Sequence, residues 1–197
     1  MTGSDSRGIT NIVLAGVGGQ GIILASTLLS EAALLEGHDV KANEVHGMAQ
    51  RGGSVICQIR YGEKVYSPLV KKGTAHFLLS LEVIESLRYA DYLAPGGVAY
   101  INAQRIIPPT VSSGFAEYPP DPEGLIRKTF PQYKVADCLK LALEAGSARC
   151  VNIVMTGWLS NALPFSPDTW TNVLESRMKS KYLEMNLKAF HLGKALG

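Results

Sequence analysis

Short apolar runs alternate with stretches of helical periodicity along most of the chain. The runs "NIVLAG", "AHFLLS" and "VAYIN" are typical of buried strands, and the stretch between Gly21 and Gly37 has apolar residues at helical spacing. "HDVKAN" and "SVICQIR" predict two further strands, and a hairpin turn at residues 61–64 would add an antiparallel element. This β-α-β order predicts a mainly parallel sheet with helices on both faces.

The second half of the chain reads as mostly helical. Ser80 is expected to cap a helix that ends before Pro95-Gly96-Gly97, and residues 104–122, with five of the ten prolines, predict an irregular excursion with one short strand at "GFAEY". "YKVADC" predicts a strand, and four helical patterns follow it. We therefore predict an α/β fold: a single Rossmann-like or flavodoxin-like three-layer domain over residues 11–197, with a helical C-terminus, after a flexible N-terminus at 1–10.

Composition narrows the class of protein. The chain has 197 residues, 46% hydrophobic and 18% charged, with a net charge of +2 and no apolar stretch long enough to cross a bilayer. We expect a cytoplasmic protein that binds neither nucleic acid nor membrane. Cys57, Cys138 and Cys150 are widely spaced, which predicts small buried hydrophobic residues rather than disulfides or cluster ligands, and no metal site is predicted.

The stretch "VLAGVGGQGIILAS" places a glycine-rich turn between a strand and a helix. Gly16, Gly18 and Gly21 have the G-x-G-x-x-G spacing, which lets the backbone approach a ligand while the helix N-terminus favours an anionic group. Glu44 is the acidic residue placed to bind a ribose hydroxyl if that ligand is a dinucleotide. A tight turn without a ligand is the other interpretation.

A second unusual stretch, "NEVHGMAQRGGSV", is predicted to begin a loop rich in chemistry-bearing residues. Glu44 could orient His46 or pair with Arg51, and the guanidinium of Arg51 could bind a carboxylate or phosphate through two hydrogen bonds. Gly52-Gly53 would allow a close backbone approach. His46, Arg51 and Glu44 are therefore the candidate catalytic residues, although a purely structural pair is also consistent with the pattern.

Together, the two stretches and "SPLVKKGTAHFLLSLEVIESLR" resemble the gamma-type domain of the 2-oxoacid:ferredoxin oxidoreductases, most closely the beta subunit of the indolepyruvate type. His46 matches the indolepyruvate-type version of the loop. The resemblance predicts cofactor-binding positions in both motifs. The first pattern, G-x-G-G-Q-G, falls on Gly16, Gly18, Gly19, Gln20 and Gly21, and the second, E-x-x-G-M-x-Q-R-G-G, on Glu44, Gly47, Met48, Gln50, Arg51, Gly52 and Gly53.

The resemblance implies an oxidoreductase that converts a 2-oxoacid to an acyl-coenzyme A by oxidative decarboxylation and passes electrons to ferredoxin. It implies thiamine diphosphate and iron-sulfur clusters, for which this chain has no motifs. We therefore expect the smaller subunit of a heteromer, inactive alone, whose large alpha subunit carries both cofactors, with coenzyme A as co-substrate.

Two alternatives to this interpretation remain at the level of sequence. One is a stand-alone NAD(P) or flavin dehydrogenase that uses the glycine turn and Glu44, and it predicts dinucleotide binding by the isolated chain. The other is a non-catalytic assembly module, in which loop substitutions alter the stability of a complex but not turnover per assembled complex.

Overall fold

Six strands pair into one sheet in the computed structural model, which describes residues 8–46 and 52–197. The strands are β1 (Thr10–Val17), β2 (Asp39–His46), β3 (Ser54–Gly62), β4 (Ala75–Ser80), β5 (Leu93–Asn102) and β6 (Tyr133–Ala136). Their order across the sheet is β2-β3-β1-β4-β5-β6. The strand β3 is antiparallel to both of its neighbours, and the other adjacent pairs are parallel. The predicted mainly parallel sheet with some antiparallel strand is confirmed.

Helices cover both faces of this sheet. They are α1 (Ile22–Leu35), α2 (Val83–Arg88), α3 (Pro109–Ser112), α4 (Pro122–Thr129), α5 (Cys138–Ala145), α6 (Val151–Ser160), α7 (Pro167–Arg177) and α8 (Ser180–Lys194). Alternate residues of β1 point to opposite faces: Ile12 and Leu14 belong to the core shared with α1 and α5–α8, and Val13 and Ala15 to the core shared with α2 and α4. The predicted three-layer arrangement and helical C-terminus are confirmed.

Several helices begin where a polar side chain can cap them. Ser166 accepts a hydrogen bond from the backbone N–H of Thr169 and precedes a proline, as the sequence indicates. Asp121 caps α4 in the same way and also precedes a proline, although we did not predict this helix. No helix within the described residues is both long and apolar enough to cross a lipid bilayer.

Four local predictions outside the two glycine-rich motifs are wrong. Residues 61–64 do not form a hairpin with the next strand, because the antiparallel partners of β3 are β1 and β2. The cap of α2 is Glu82 rather than Ser80. Pro95-Gly96-Gly97 lies inside β5, where the β4–β5 register shifts and so accommodates a proline. "GFAEY" forms no strand, and α3 lies just before it.

Helices α6 and α8 pack unusually closely through two glycines. A Cβ added at Gly157 would lie 2.1 Å from the carbonyl oxygen of Phe190, and one at Gly193 would lie 1.9 Å from that of Val154. The neighbouring Trp158 is buried and meets the ring of Tyr100 edge-on at a centroid distance of 5.2 Å. The tryptophan is thus part of the packed core.

Candidate functional site

The glycine turn joins β1 to α1 at the carboxyl end of the parallel strands. Gly19 and Gly21 have φ angles of 104° and 75°, a region that side-chain-bearing residues rarely adopt. Gly16 has ordinary backbone geometry, but an added Cβ would come within 2.8 Å of both Oε1 of Gln20 and Cδ1 of Ile22. Gly19 and Gly21 therefore require glycine for their backbone conformation, whereas a side chain at Gly16 would displace those of Gln20 and Ile22.

Gln20 folds back from the turn onto the strand ends. Its Oε1 accepts a hydrogen bond from the backbone N–H of Val17 at 2.8 Å, and its Nε2 donates to the carbonyl oxygen of Leu81 at 2.9 Å and to Oε1 of Gln104 at 3.3 Å. Asn102 donates to the same two acceptors at 3.0 and 3.3 Å. The amide thus ties the turn to the ends of β1, β4 and β5. Its contact with a cofactor stays a prediction.

The two glycine-rich motifs of the sequence meet in the structure. The backbone N–H of Gly18 donates to the carbonyl oxygen of Gly53 at 2.8 Å, and that of Gly52 donates to the carbonyl oxygen of Gly18 at 3.4 Å. They meet because β3 runs antiparallel to β1, so that the start of β3 lies beside the end of β1. The predicted residues Gly47, Met48, Gln50 and Arg51 lie outside the described residues.

A pocket of about 430 Å³ lies between the glycine turn and the ends of β2 and β3. His46 contributes the imidazole at its rim, and Val17, Ile22, Ile23 and Val55 give it a mostly apolar wall. The turn supplies backbone from Gly18, Gly19 and Gly21. The pocket therefore combines an apolar surface with the N-terminus of α1, where anionic groups are favoured.

Glu44 and His46 lie at the end of β2, not in a loop as we predicted. The ladder between β2 and β3 continues as far as the pair of His46 with Val55. Nε2 of His46 is 4.0 Å from Oε1 of Glu44, and both side chains are about half exposed. Glu44 lines a separate groove between α1 and β2. Because β3 separates β2 from β1, Glu44 lies two strand spacings, about 10 Å, from the strand that carries the turn.

Two buried carboxylates lie beside the same site and were not singled out from the sequence. Glu82 is 1% exposed and accepts hydrogen bonds from the backbone N–H groups of Glu85 at 2.9 Å and Ile106 at 3.1 Å. Burial raises the pKa of Glu82 above its ordinary value. Glu85 accepts a hydrogen bond from the hydroxyl of Ser54 and another from Nε of Arg88 at 3.1 Å.

These carboxylates position backbone rather than face open solvent. Through Ser54, Glu85 holds the start of β3 against α2, and through Ile106, Glu82 holds the beginning of the proline-rich excursion. Both acids line a cavity of about 160 Å³ together with Val17 and Gly52. The signal was present in "LEVIESLR", where two acids three residues apart lie among apolar residues that must be buried.

The three cysteines are buried and free, as predicted. Burial is the main cause that raises the pKa of the Cys57 thiol to about 11, and it raises that of Cys138 to about 12. Such thiols are poor nucleophiles and poor metal ligands at neutral pH because both roles need the thiolate. They serve as small apolar side chains.

Comparison with known proteins adds independent findings. The family described as pyruvate ferredoxin/flavodoxin oxidoreductase matches residues 11–196. The chain is 43% identical to the indolepyruvate oxidoreductase subunit IorB of Thermococcus kodakarensis, over 93% of each protein. Among solved structures, the keto/oxoacid ferredoxin oxidoreductase gamma subunit from Geobacter sulfurreducens matches with a TM-score of 0.70 and 26% identity, over 95% of this chain and 98% of that one.

A longer protein contains the same fold. The 2-oxoglutarate:ferredoxin oxidoreductase from Magnetococcus marinus, solved with 2-oxoglutarate, coenzyme A and succinyl-CoA bound, matches with a TM-score of 0.74 and 23% identity. The match covers 97% of this chain but 31% of that one. The fold class predicted from the sequence is therefore also found in solved structures.

Proposed function

The chain belongs to the pyruvate ferredoxin/flavodoxin oxidoreductase family, and we propose that it is the smaller subunit of an indolepyruvate-type enzyme. Its membership of this family, together with its sequence identity to IorB subunits, identifies the chain as a small subunit of a 2-oxoacid:ferredoxin oxidoreductase. The 43% identity to an IorB subunit, over 93% of each protein, is the observation that favours an aryl 2-oxoacid such as indolepyruvate as the substrate. The resemblance of His46 to the indolepyruvate-type motif supports the same choice.

The proposed reaction needs groups that this chain's residues do not fit. Oxidative decarboxylation releases carbon dioxide, joins the acyl group to the sulfur of coenzyme A and sends two electrons to ferredoxin. Iron-sulfur clusters need cysteine thiolates, whereas the cysteines of this chain are buried and separate. We therefore assign thiamine diphosphate and the clusters to a large alpha subunit, which completes the chemistry in a cytoplasmic heteromer.

Within that heteromer we assign this chain's glycine turn and the segment 44–53 to the contact with the alpha subunit. The apolar wall of the pocket beside His46 suits the flat ring of an aryl 2-oxoacid or the pantetheine arm of coenzyme A. The free N–H groups at the start of α1 suit a carboxylate or phosphate. The Magnetococcus enzyme, in which 31% of the chain has this fold, was solved with a 2-oxoacid and coenzyme A bound.

The first test is anaerobic affinity purification of the full chain from its native cells. We expect a larger protein to co-purify, with thiamine diphosphate detected by mass and iron-sulfur clusters by absorbance. Recovery of the chain alone with a dinucleotide bound would instead favour the stand-alone dehydrogenase and overturn the proposal.

The second test reverses one charge in the loop motif. Arg51→Glu should abolish acyl-coenzyme A formation or assembly, because a bidentate anion contact would become a repulsion. Arg127→Glu makes the same change on an exposed side chain of α4 and serves as the control. An Arg51→Glu complex with normal kinetics would refute the assigned role. Altered stability with unchanged turnover per assembled complex would indicate an assembly module.

A further inference from the structure

The helix α1 exposes large aliphatic side chains on its outer side. Ile23, Leu34 and Leu35 are 52%, 55% and 60% exposed, although the inner side of the helix is also apolar and packs on β2 and β3. A surface helix normally presents a polar side to water, and one that is apolar on both sides is normally buried. This outer surface, which we call the α1 face, is therefore expected to be covered in the assembled protein.

The α1 face carries little charge. Glu31 is the one charged residue among the 14 of α1, and its carboxylate accepts a hydrogen bond from Nε of Arg177 at 2.7 Å. The hydroxyl of Thr27 donates to the carbonyl oxygen of Ile23 within the helix, at 2.9 Å. These polar groups therefore have partners inside the chain. The centre of a stable protein interface is likewise apolar and poor in unpaired charge.

Two grooves run along the sides of α1. One, of about 580 Å³, lies between α1 and α7, where Leu34, Leu35 and Val173 line it. The other, of about 410 Å³, lies between α1 and the edge strand β2, and its lining includes Ile23 and Leu34. The grooves share Leu34, so they form one continuous surface. From Ile23 to Leu35 this surface extends about 18 Å, at 1.5 Å per helical residue, or roughly three helical turns.

The α1 face begins at the surface that the proposed function assigns to the alpha subunit. Ile23 lines both the groove beside β2 and the pocket that contains His46. Glu44, the first residue of the assigned segment 44–53, lines the same groove. A partner seated on the glycine turn and this segment therefore reaches the α1 face without a gap. This continuity favours the alpha subunit over a second copy of this chain as the occupant.

We propose that the α1 face is an interface with the alpha subunit and that an apolar helix of that subunit packs along it. The inference rests on the proposed function, which supplies the partner. A helix suits this surface because one line of its side chains can enter a groove beside another helix. Leu34 would lie at the centre of the contact, where the two grooves meet. Because α1 begins directly after Gly21, the contact would also hold the glycine turn in place.

Thiol labelling tests the proposal. Leu34→Cys places a thiol at the centre of the α1 face, and Leu143→Cys places one on α5, where the leucine is 58% exposed. The three native cysteines are buried, so the mass of this chain reports labelling of the introduced residue alone. Each variant is labelled as the full chain alone and in the complex purified anaerobically from native cells. We expect Leu34→Cys to react more slowly in the complex by about tenfold or more, and Leu143→Cys to react equally in both.

Leu34→Lys measures how much the contact contributes to assembly. Lysine is a good helix former and its ammonium would be solvated in the isolated chain, so the variant should keep the native melting temperature. In the complex the ammonium would be buried against an apolar surface. We therefore expect the dissociation constant of the complex, measured by mass photometry on dilution, to rise by about tenfold or more. Leu143→Lys makes the same change on α5 and should leave the dissociation constant unchanged.

Failure of this inference is separate from failure of the proposed function. If the complex forms but Leu34→Cys reacts as fast as in the isolated chain, or Leu34→Lys leaves its dissociation constant unchanged, the α1 interface is overturned and the proposed function stands. Protection of Leu34→Cys in the isolated chain, together with a dimer in sedimentation, would assign the face to a second copy and also overturn the inference. Recovery of the chain without a larger partner would overturn both.

Discussion

Replacing the side-chain amide of Gln20 with a carboxylate of the same shape should destabilise the folded protein. In Gln20→Glu, one oxygen can still accept the backbone N–H of Val17, which lies 2.8 Å from Oε1 in the native protein. The other oxygen would replace Nε2 and face two acceptors, the carbonyl oxygen of Leu81 at 2.9 Å and Oε1 of Gln104 at 3.3 Å. An attractive contact thereby becomes repulsive on both sides.

The size of the effect follows from the lost bonds. Two hydrogen bonds are lost at about 1 kcal/mol each, and an acceptor left facing acceptors costs about 1 kcal/mol or more. We expect Gln20→Glu to lower the free energy of unfolding by about 3 kcal/mol at neutral pH. A protonated carboxyl can donate to Leu81, so the loss should shrink to about 1 kcal/mol in acid.

The pH dependence has a definite sign. Ionisation is disfavoured in the folded variant, so the pKa of the introduced carboxyl is raised above its unfolded value of about 4.3. The loss of stability is therefore small below that pH and grows as the pH rises towards the folded pKa. Urea unfolding followed by the fluorescence of Trp158 and Trp170, both buried, measures it at pH 4.5 and 7.5.

A matched variant isolates the cause. Gln132→Glu makes the same chemical change at an exposed position just before β6 and should shift stability by less than about 0.5 kcal/mol at either pH. The explanation of Gln20 would be refuted if Gln20→Glu were as stable as the native chain at pH 7.5. It would equally be refuted if the deficit were the same at both pH values.

Three further predictions concern stability and reactivity. Gly193→Ala should lower the free energy of unfolding by about 1 to 3 kcal/mol, because the added Cβ would lie 1.9 Å from the carbonyl oxygen of Val154. This loss outweighs the better helix propensity of alanine. A variant that is more stable in thermal unfolding would contradict the prediction. Cys57 and Cys138, with pKa values of about 11 and 12, should react with a thiol reagent at pH 8 only after denaturant is added, and rapid labelling of the native chain would exclude the buried setting. A hydrogen bond from a lysine side chain, and next one from a backbone N–H, lower the pKa of Asp39 to about 2. Asp39→Asn should therefore lower the melting temperature at pH 6, and the difference from the native chain should vanish as the pH falls through 2. A difference that stays constant with pH would refute this assignment.

Local sequence patterns were enough to predict buried strands and capped helix starts. The run that became β1 is buried on both faces, so its apolar character is continuous and unambiguous. Ser166-Pro167 predicted the start of α7 because a cap and a proline act within one turn. Asp121-Pro122 carries the same signal for α4, so that helix was predictable and was missed.

Two of the wrong predictions have their cause in strand pairing. "EVH" is polar enough to suggest a loop, yet pairing with β3 keeps it extended as far as His46. Pro95-Gly96-Gly97 suggests a break, yet a register shift against β4 accommodates it within β5. In both cases pairing with a neighbouring strand decided the conformation, which the composition of the segment itself does not indicate.

In the candidate site, too, the sequence indicates the turn itself but not the residues that strand pairing brings to it. Spacing alone identifies Gly16 and Gly21 as parts of a turn, but only the insertion of β3 beside β1 brings Gly52 and Gly53 onto that turn. The same insertion moves Glu44 away from the turn, which removes the ribose contact that a nucleotide-binding β-α-β unit would make there. One antiparallel strand therefore both unites the two family motifs and disfavours the stand-alone dehydrogenase.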